Sequence, residues 1–214
     1  MKILVMAAHP DDEVLGVGGA ICRHISNGDE VYVCVATKPY EPQWSSADIA
    51  AKTQEQKEVD KLLGIKKRFN LDLPTVRLNT IATGDFSKKI SDIVDLVDPD
   101  IIYTHFEGDL NHDHTLVFQA TLVAARPPKR IRLVCYETLS ETEWGNMPFL
   151  PNMWVDVSRF IEKKKAAFQL YRTEIKKHPH PRSADGIEIL ARRRGIEACV
   201  EYAEAFVLLR DVMR

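Results

Sequence analysis

Short apolar runs alternate with helix-period segments from the first residues onward, and that alternation fixes most of what this chain can fold into. "KILVMAA" (2–8) is continuously apolar, as a strand buried on both faces must be. "VYVCVAT" (31–37), "RFNL" (68–71), "DIIYTH" (100–105), "IRLVCYE" (131–137) and "MWVDV" (153–157) read as further strands, and "TVRLN" (75–79) as a short extra one. Between them lie helical patterns: one after residue 13, one from about Ala47 to Leu63 with Gly64 at its expected cap, and "DFSKKISDIVDLVD" stopped by Pro99. "DHTLVFQATLVAAR" is closed by Pro127 and Pro128, and two more helices are expected over 158–176 and 186–207. Strands that alternate with helices join by right-handed crossovers, which makes the sheet mostly parallel and covers both its faces. The expected architecture is α/β, a Rossmann-like three-layer sandwich forming one domain over residues 1–214.

Charge and cysteine usage narrow the function classes. The formal net charge is only −2, so nothing favours nucleic acid or an anionic membrane as a partner. No apolar stretch is long enough for a membrane span, and the leading "ILVMAA" run is too short for a secretory signal. Cys22, Cys34, Cys135 and Cys199 are far apart and set in apolar surroundings. They read as buried free thiols of a cytoplasmic protein. Apolar residues in the irregular stretch 139–154 hint at a homo-oligomer.

Two segments carry the chemistry. "AAHPDDEVLG" (7–16) crowds a histidine and three acids just past the first strand. Acids at a helix start favour the dipole and cap free N–H groups, which would account for Asp11, Asp12 and Glu13 but not for His9. "GDLNHDHTLV" (108–117) repeats the combination after the strand "DIIYTH". Parallel α/β sheets bind ligands outside the carboxyl ends of strands where the strand order reverses, so both segments would face one crevice. His9, Asp12 and His114 would then give two imidazoles and a carboxylate to Zn²⁺ and leave a position open for water. Fe²⁺, Co²⁺ and Ni²⁺ suit the same donors. Asp11, beside a ligand but free, could take the water's proton.

"AHPDDE" followed by the "DLNHDH" segment resembles the PIG-L/LmbE-like family of zinc-dependent N-acetylglucosaminyl deacetylases. "YE…SETEW", "HPHPRS" and "RRRG…YAEAF" resemble further blocks of that family. The resemblance implies hydrolysis of the acetamide of a small amino-sugar substrate. It makes His9, Asp12 and His114 the metal ligands, Asp11 the general base and Asp113 a support behind a ligand. Asn111 stands where many members have a histidine that helps the oxyanion; it can donate a hydrogen bond there but cannot carry a proton. Lys52, in "KTQE", stands where relatives have arginine and would contact substrate with less directional bonding. His180 and Arg182 of "HPHPRS" would meet the sugar or its carrier.

The glycines of "GVGG" (16–19) lack dinucleotide-loop spacing and fit close helix packing better. No Gly-x-Ser-x-Gly is present. Alternatives to amino-sugar deacetylation are hydrolysis of another amide, such as a thiol-glycoside conjugate, and a non-catalytic sugar- or nucleotide-binding module.

Overall fold

The computed structural model describes residues 1–212. Seven strands form one sheet: β1 (Lys2–Ala7), β2 (Glu30–Lys38), β3 (Lys67–Pro74), β4 (Ile101–His105), β5 (Arg132–Tyr136), β6 (Met153–Asp156) and β7 (Ala203–Arg210). Their order is β3-β2-β1-β4-β5-β7-β6. The first five in chain order run parallel, while β7 is antiparallel to both β5 and β6. The six helices among the described residues are α1 (Asp12–Ser26), α2 (Ser46–Leu63), α3 (Thr83–Val97), α4 (His112–Ala124), α5 (Ile161–Gln169) and α6 (Ala184–Ala198).

The period-two alternation of a strand explains the three layers. Ile3, Val5 and Ala7 of β1 join a core made with residues of α1, α2, α5 and α6. Leu4, Met6 and the following Ala8 join the opposite core, made with α3 and α4. Both faces of β1 are therefore buried, which is why its sequence is apolar without interruption. Strand order reverses at β1, with β2 and β3 on one side and β4 and β5 on the other, so the carboxyl ends of β1 and β4 lie next to each other.

Three features correct the sequence reading. The expected helix over 186–207 ends at Ala198, and β7 begins within its last residues, at Ala203. "TVRLN" is not a strand: a 3-10 turn occupies Leu78–Thr80 and Val76 has a positive φ of 58°. Its backbone N–H groups are captured elsewhere, Val76 N and Leu78 N donating to Asp113 at 2.7 and 3.4 Å. Cys199 is exposed, while Cys22, Cys34 and Cys135 are buried and free as expected.

A buried ion pair between α5 and β7 reaches backbone groups of helix α1. Lys164 Nζ donates to Leu15 O at 2.8 Å and to Glu204 Oε1 at 2.6 Å, and Glu204 accepts from Gly19 N and Ala20 N at 2.8 and 2.7 Å. Gly16 lets the helix approach β5: a Cβ there would lie 2.1 Å from the Tyr136 ring. No helix among the described residues is long and apolar enough to cross a membrane.

Candidate metal centre and its cleft

The turn between β1 and α1 is held by its own acids. Asp11 has φ 122°, a conformation that L residues rarely adopt. Its N–H donates to Glu13 Oε2 at 3.1 Å. Glu13, fully buried, accepts in turn from Tyr171 Oη and from Arg68 Nη2, the latter at 2.9 Å. Glu13 therefore braces the strained turn, while Asp12 turns inward and accepts the His9 N–H on Oδ2 at 2.7 Å.

The helix α4 begins beside this turn. Asn111 caps it, accepting the Asp113 N–H on its side-chain oxygen at 3.0 Å. That places His114 in the first turn, aimed at the end of β1. His114 Nε2 and His9 Nδ1 are 3.3 Å apart. Asp12 Oδ2 is 3.4 Å from each of them.

This triangle fits a tetrahedral cation on three counts. An ion bound at zinc-like distances of ~2.0–2.1 Å holds its tetrahedral ligand atoms roughly 3.3–3.4 Å apart. Those are the separations found here. Protonation of the rings also points their lone pairs at the same spot. His114 Nδ1 lies 2.8 Å from Asp109 Oδ2, and His9 Nε2 lies 3.1 Å from Asp113 Oδ2. A carboxylate only accepts, so each of those nitrogens carries the proton and the facing nitrogens are left as acceptors. Finally, Asp12 Oδ1 is buried without any hydrogen-bond partner among the described residues. Two ring nitrogens and a carboxylate oxygen face one another at metal-ligand spacing, and the second oxygen of that carboxylate is unpartnered, an arrangement that positive charge must balance.

The titration of the two rings reflects that need. Burial holds His114 down to about 4, with help from neighbouring His105. Burial also opposes charge on His9, but hydrogen bonds to Asp113 and Asp12 outweigh it and raise His9 to about 10. The cluster thus draws a proton to the ring that faces Asp12. His105, fully buried, packs flat against His114 with ring centroids 3.7 Å apart and accepts the Ala8 N–H at 2.9 Å. It supports the His114 ring from behind. His105, Asp109 and His114 form a second group with metal-compatible spacing, but it shares His114 with the first and uses the nitrogen turned away from it.

A cleft of about 490 Å³ opens over the cluster, lined by His9, Asp11, Trp44, Lys52, Asn111, Glu141, Glu174 and Arg182 among others. Asp11 has one oxygen bonded, accepting from Arg182 Nη1 at 3.3 Å. Burial lifts its carboxyl well above the usual range; Arg182 pulls the other way and Asp12 adds to the rise. Lys52 and Arg182 line the cleft, but both are already engaged. Lys52 Nζ donates to Thr173 Oγ1 at 2.7 Å and Glu174 Oε1 at 2.6 Å. Arg182 donates to Ser140 Oγ at 2.7 Å, to Asp11, to Glu174 Oε2 at 3.3 Å and to Glu141 Oε1 at 3.1 Å. His180 lies off the cleft lining; its Nδ1 accepts the Arg182 N–H, and its ring meets Trp144 edge-on.

Sequence reasoning missed Asp109, Glu13, Glu141 and Glu174. Asp109 had a usable signal, a carboxylate one helical turn and a bend before a candidate ligand histidine. Glu141 and Glu174 had none, because only the folded chain brings their loops to β1.

The fold and the cluster together define an α/β protein with a His/Asp cluster of metal-compatible spacing at a sheet switch point. The chain belongs to the PIG-L family, described as GlcNAc-PI de-N-acetylase, whose pattern matches residues 4–125. Among curated relatives it is 29% identical over 182 residues to the uncharacterized deacetylase YaiS of Escherichia coli K12, covering 82% of this chain and 89% of that one. It is 24% identical over 197 residues to diacetylchitobiose deacetylase of Thermococcus kodakarensis, covering 81% and 70%. Among solved structures, a conserved protein of Thermus thermophilus superposes with a TM-score of 0.81 at 26% identity, over 99% of this chain and 96% of that one. The N,N'-diacetylchitobiose deacetylase of Pyrococcus horikoshii superposes equally well, at 0.81, over 97% and 83%; at 21% identity it speaks for the fold alone.

Proposed function

We propose that this protein is a zinc-dependent hydrolase that removes the N-acetyl group from an amino-sugar substrate of the N-acetylglucosamine type. The observation that carries the reading is the triangle of His9 Nδ1, His114 Nε2 and Asp12 Oδ2, with an ionisable carboxylate beside it on the floor of an open cleft. His9, Asp12 and His114 would hold the ion, and a bound Zn²⁺ would supply Lewis acidity and lower the pKa of a water to about 7.

The chain's own residues do the rest. Asp11 takes the proton from the attacking water, and its raised affinity for protons, caused first by burial, suits that task. Asp109 and Asp113 fix the protonation of the two ligand rings. Asn111, whose oxygen is committed to capping α4, has its Nδ2 left to donate toward a developing oxyanion. Trp44 offers a flat apolar face on the cleft wall for a sugar ring. The deacetylases among its relatives support the reaction class.

Acetate release from N-acetylglucosamine and diacetylchitobiose, with and without a chelator, tests the reading. Chelation is expected to abolish release and added zinc to restore it. Asp11→Asn should keep the metal and lose about 10²- to 10⁴-fold in turnover. His114→Ala should lose the metal. Turnover untouched by chelation, or full metal occupancy in His114→Ala, would overturn the assignment.

A further inference from the structure

Amide hydrolysis needs two proton transfers, one from the water and one to the departing amine. Asp11 accounts for the first. Asn111 cannot make the second, since an amide has no proton to give at neutral pH. Among the carboxylates lining the cleft, Glu141 is placed differently from the rest. It shares one guanidinium with Asp11: Arg182 Nη1 donates to Asp11 Oδ2 at 3.3 Å and Arg182 Nη2 donates to Glu141 Oε1 at 3.1 Å. The two carboxyl groups therefore share one planar fork on the lining of the same cleft. Glu141 Oε2 has no hydrogen-bond partner among the described residues and belongs to the cleft lining. Its backbone is fixed to the metal-site loop, with the Leu110 N–H donating to Glu141 O at 3.1 Å. Glu174 also lines the cleft, but Lys52 and Arg182 hold its two oxygens.

We propose that Glu141 is the proton donor to the departing amine, held by Arg182 opposite the base Asp11; the proposal rests on the deacetylase reading above. The steps balance. Water adds its oxygen to the acetamide carbon and gives one proton to the Asp11 carboxylate. The C–N bond then breaks, its electron pair passes to nitrogen, and nitrogen takes the proton of the Glu141 carboxyl. Free amine and acetic acid leave, and the proton on Asp11 passes to the Glu141 carboxylate to restore both groups. One water is consumed and no other reactant is needed.

The surroundings agree with a carboxyl that carries a proton near neutrality. Burial pushes Glu141 up to about 7, against the pull of Arg182 and His9, with Asp12 and Asp109 adding to the rise. Asp11 and Glu174, on the same guanidinium, complete the charged groups around it.

The test uses the zinc-loaded full chain and measures kcat and KM from pH 5 to 9 on N-acetylglucosamine and on 4-nitroacetanilide, whose weakly basic amine leaves without prior protonation. Glu141→Gln keeps the hydrogen bond from Arg182, and zinc content is measured alongside. Expected is a loss of about 100-fold in kcat on the sugar with KM little changed, loss of the alkaline limb, and a much smaller effect on the anilide. Glu141→Asp should recover part of the sugar activity and the limb. A Glu141→Gln enzyme within threefold of wild type, one altered only in KM, or one losing both substrates equally with its alkaline limb intact would overturn the proposal. If the wild-type chain cleaves no acetamide at all, the deacetylase reading fails first and this one falls with it.

Discussion

Asp109 offers the sharpest probe of the proposed metal centre, because it lies outside the His9–Asp12–His114 triangle. Its Oδ2 accepts from His114 Nδ1 at 2.8 Å, and its Oδ1 accepts from Thr142 Oγ1 at 2.5 Å. The first bond keeps the ring proton on Nδ1 and leaves Nε2 free to ligate. A buried hydrogen bond to a charged acceptor contributes about 1.5–3 kcal/mol. At about 1.4 kcal/mol per factor of ten, its loss should weaken zinc binding roughly 10- to 100-fold, in line with other carboxylates behind ligand histidines. The expected series is graded. Asp109→Asn still offers a carbonyl oxygen to Nδ1 and should cost about tenfold; Asp109→Leu offers nothing and should reach the upper end. Competition against a chelator of known affinity gives the dissociation constants, and thermal unfolding in chelator shows whether the variants remain folded. Zinc affinity equal to wild type in a folded Asp109→Leu would refute the claim that this bond presents Nε2 to a metal.

Other outcomes follow from neighbouring contacts. A base must be ionised to act, and Arg182 lowers the proton affinity of both Asp11 and Glu141. Arg182→Gln should therefore move the acid and alkaline limbs of the kcat profile to higher pH together; limbs that stay in place would show that Arg182 does not set either group. Gly16→Ala should destabilise the fold by about 1–3 kcal/mol in urea unfolding, since the new methyl must displace the Tyr136 ring. Lys164→Met leaves Glu204 buried without its counter-charge and should cost about 3–5 kcal/mol in the same assay.

The segments that carry His9 and His114, a turn after β1 and the first turn of α4, were legible because their neighbours obey local rules. An apolar run, an acidic turn and a capped helix follow one another in the order that chain geometry demands. The carboxyl terminus broke those rules. "YAEAFVLL" holds alanines and a glutamate and reads as a helix, yet β7 forms there. Glu204 survives in a buried strand only because Lys164 and two N–H groups of α1 meet it, partners 40 and about 185 residues away. The segment around Val76 failed for the same kind of reason: Asp113 captures the backbone that a strand would have used. The Arg182 contacts were equally invisible. A motif can suggest that an arginine faces substrate, but only the assembled loops show its donors already taken.

The anchoring of the site has a consequence for how such proteins diversify. The His9–Asp12–His114 cluster stands on the turn after β1 and the first turns of α1 and α4, packed against the sheet, whereas Trp44, Glu141, Glu174 and Arg182 project from connecting segments above it. Those upper segments can lengthen, shorten or change sequence around the fixed Arg182–Glu141 pair while the turns below stay in register. A different ligand could therefore be admitted by redecorating the doorway around those fixed points.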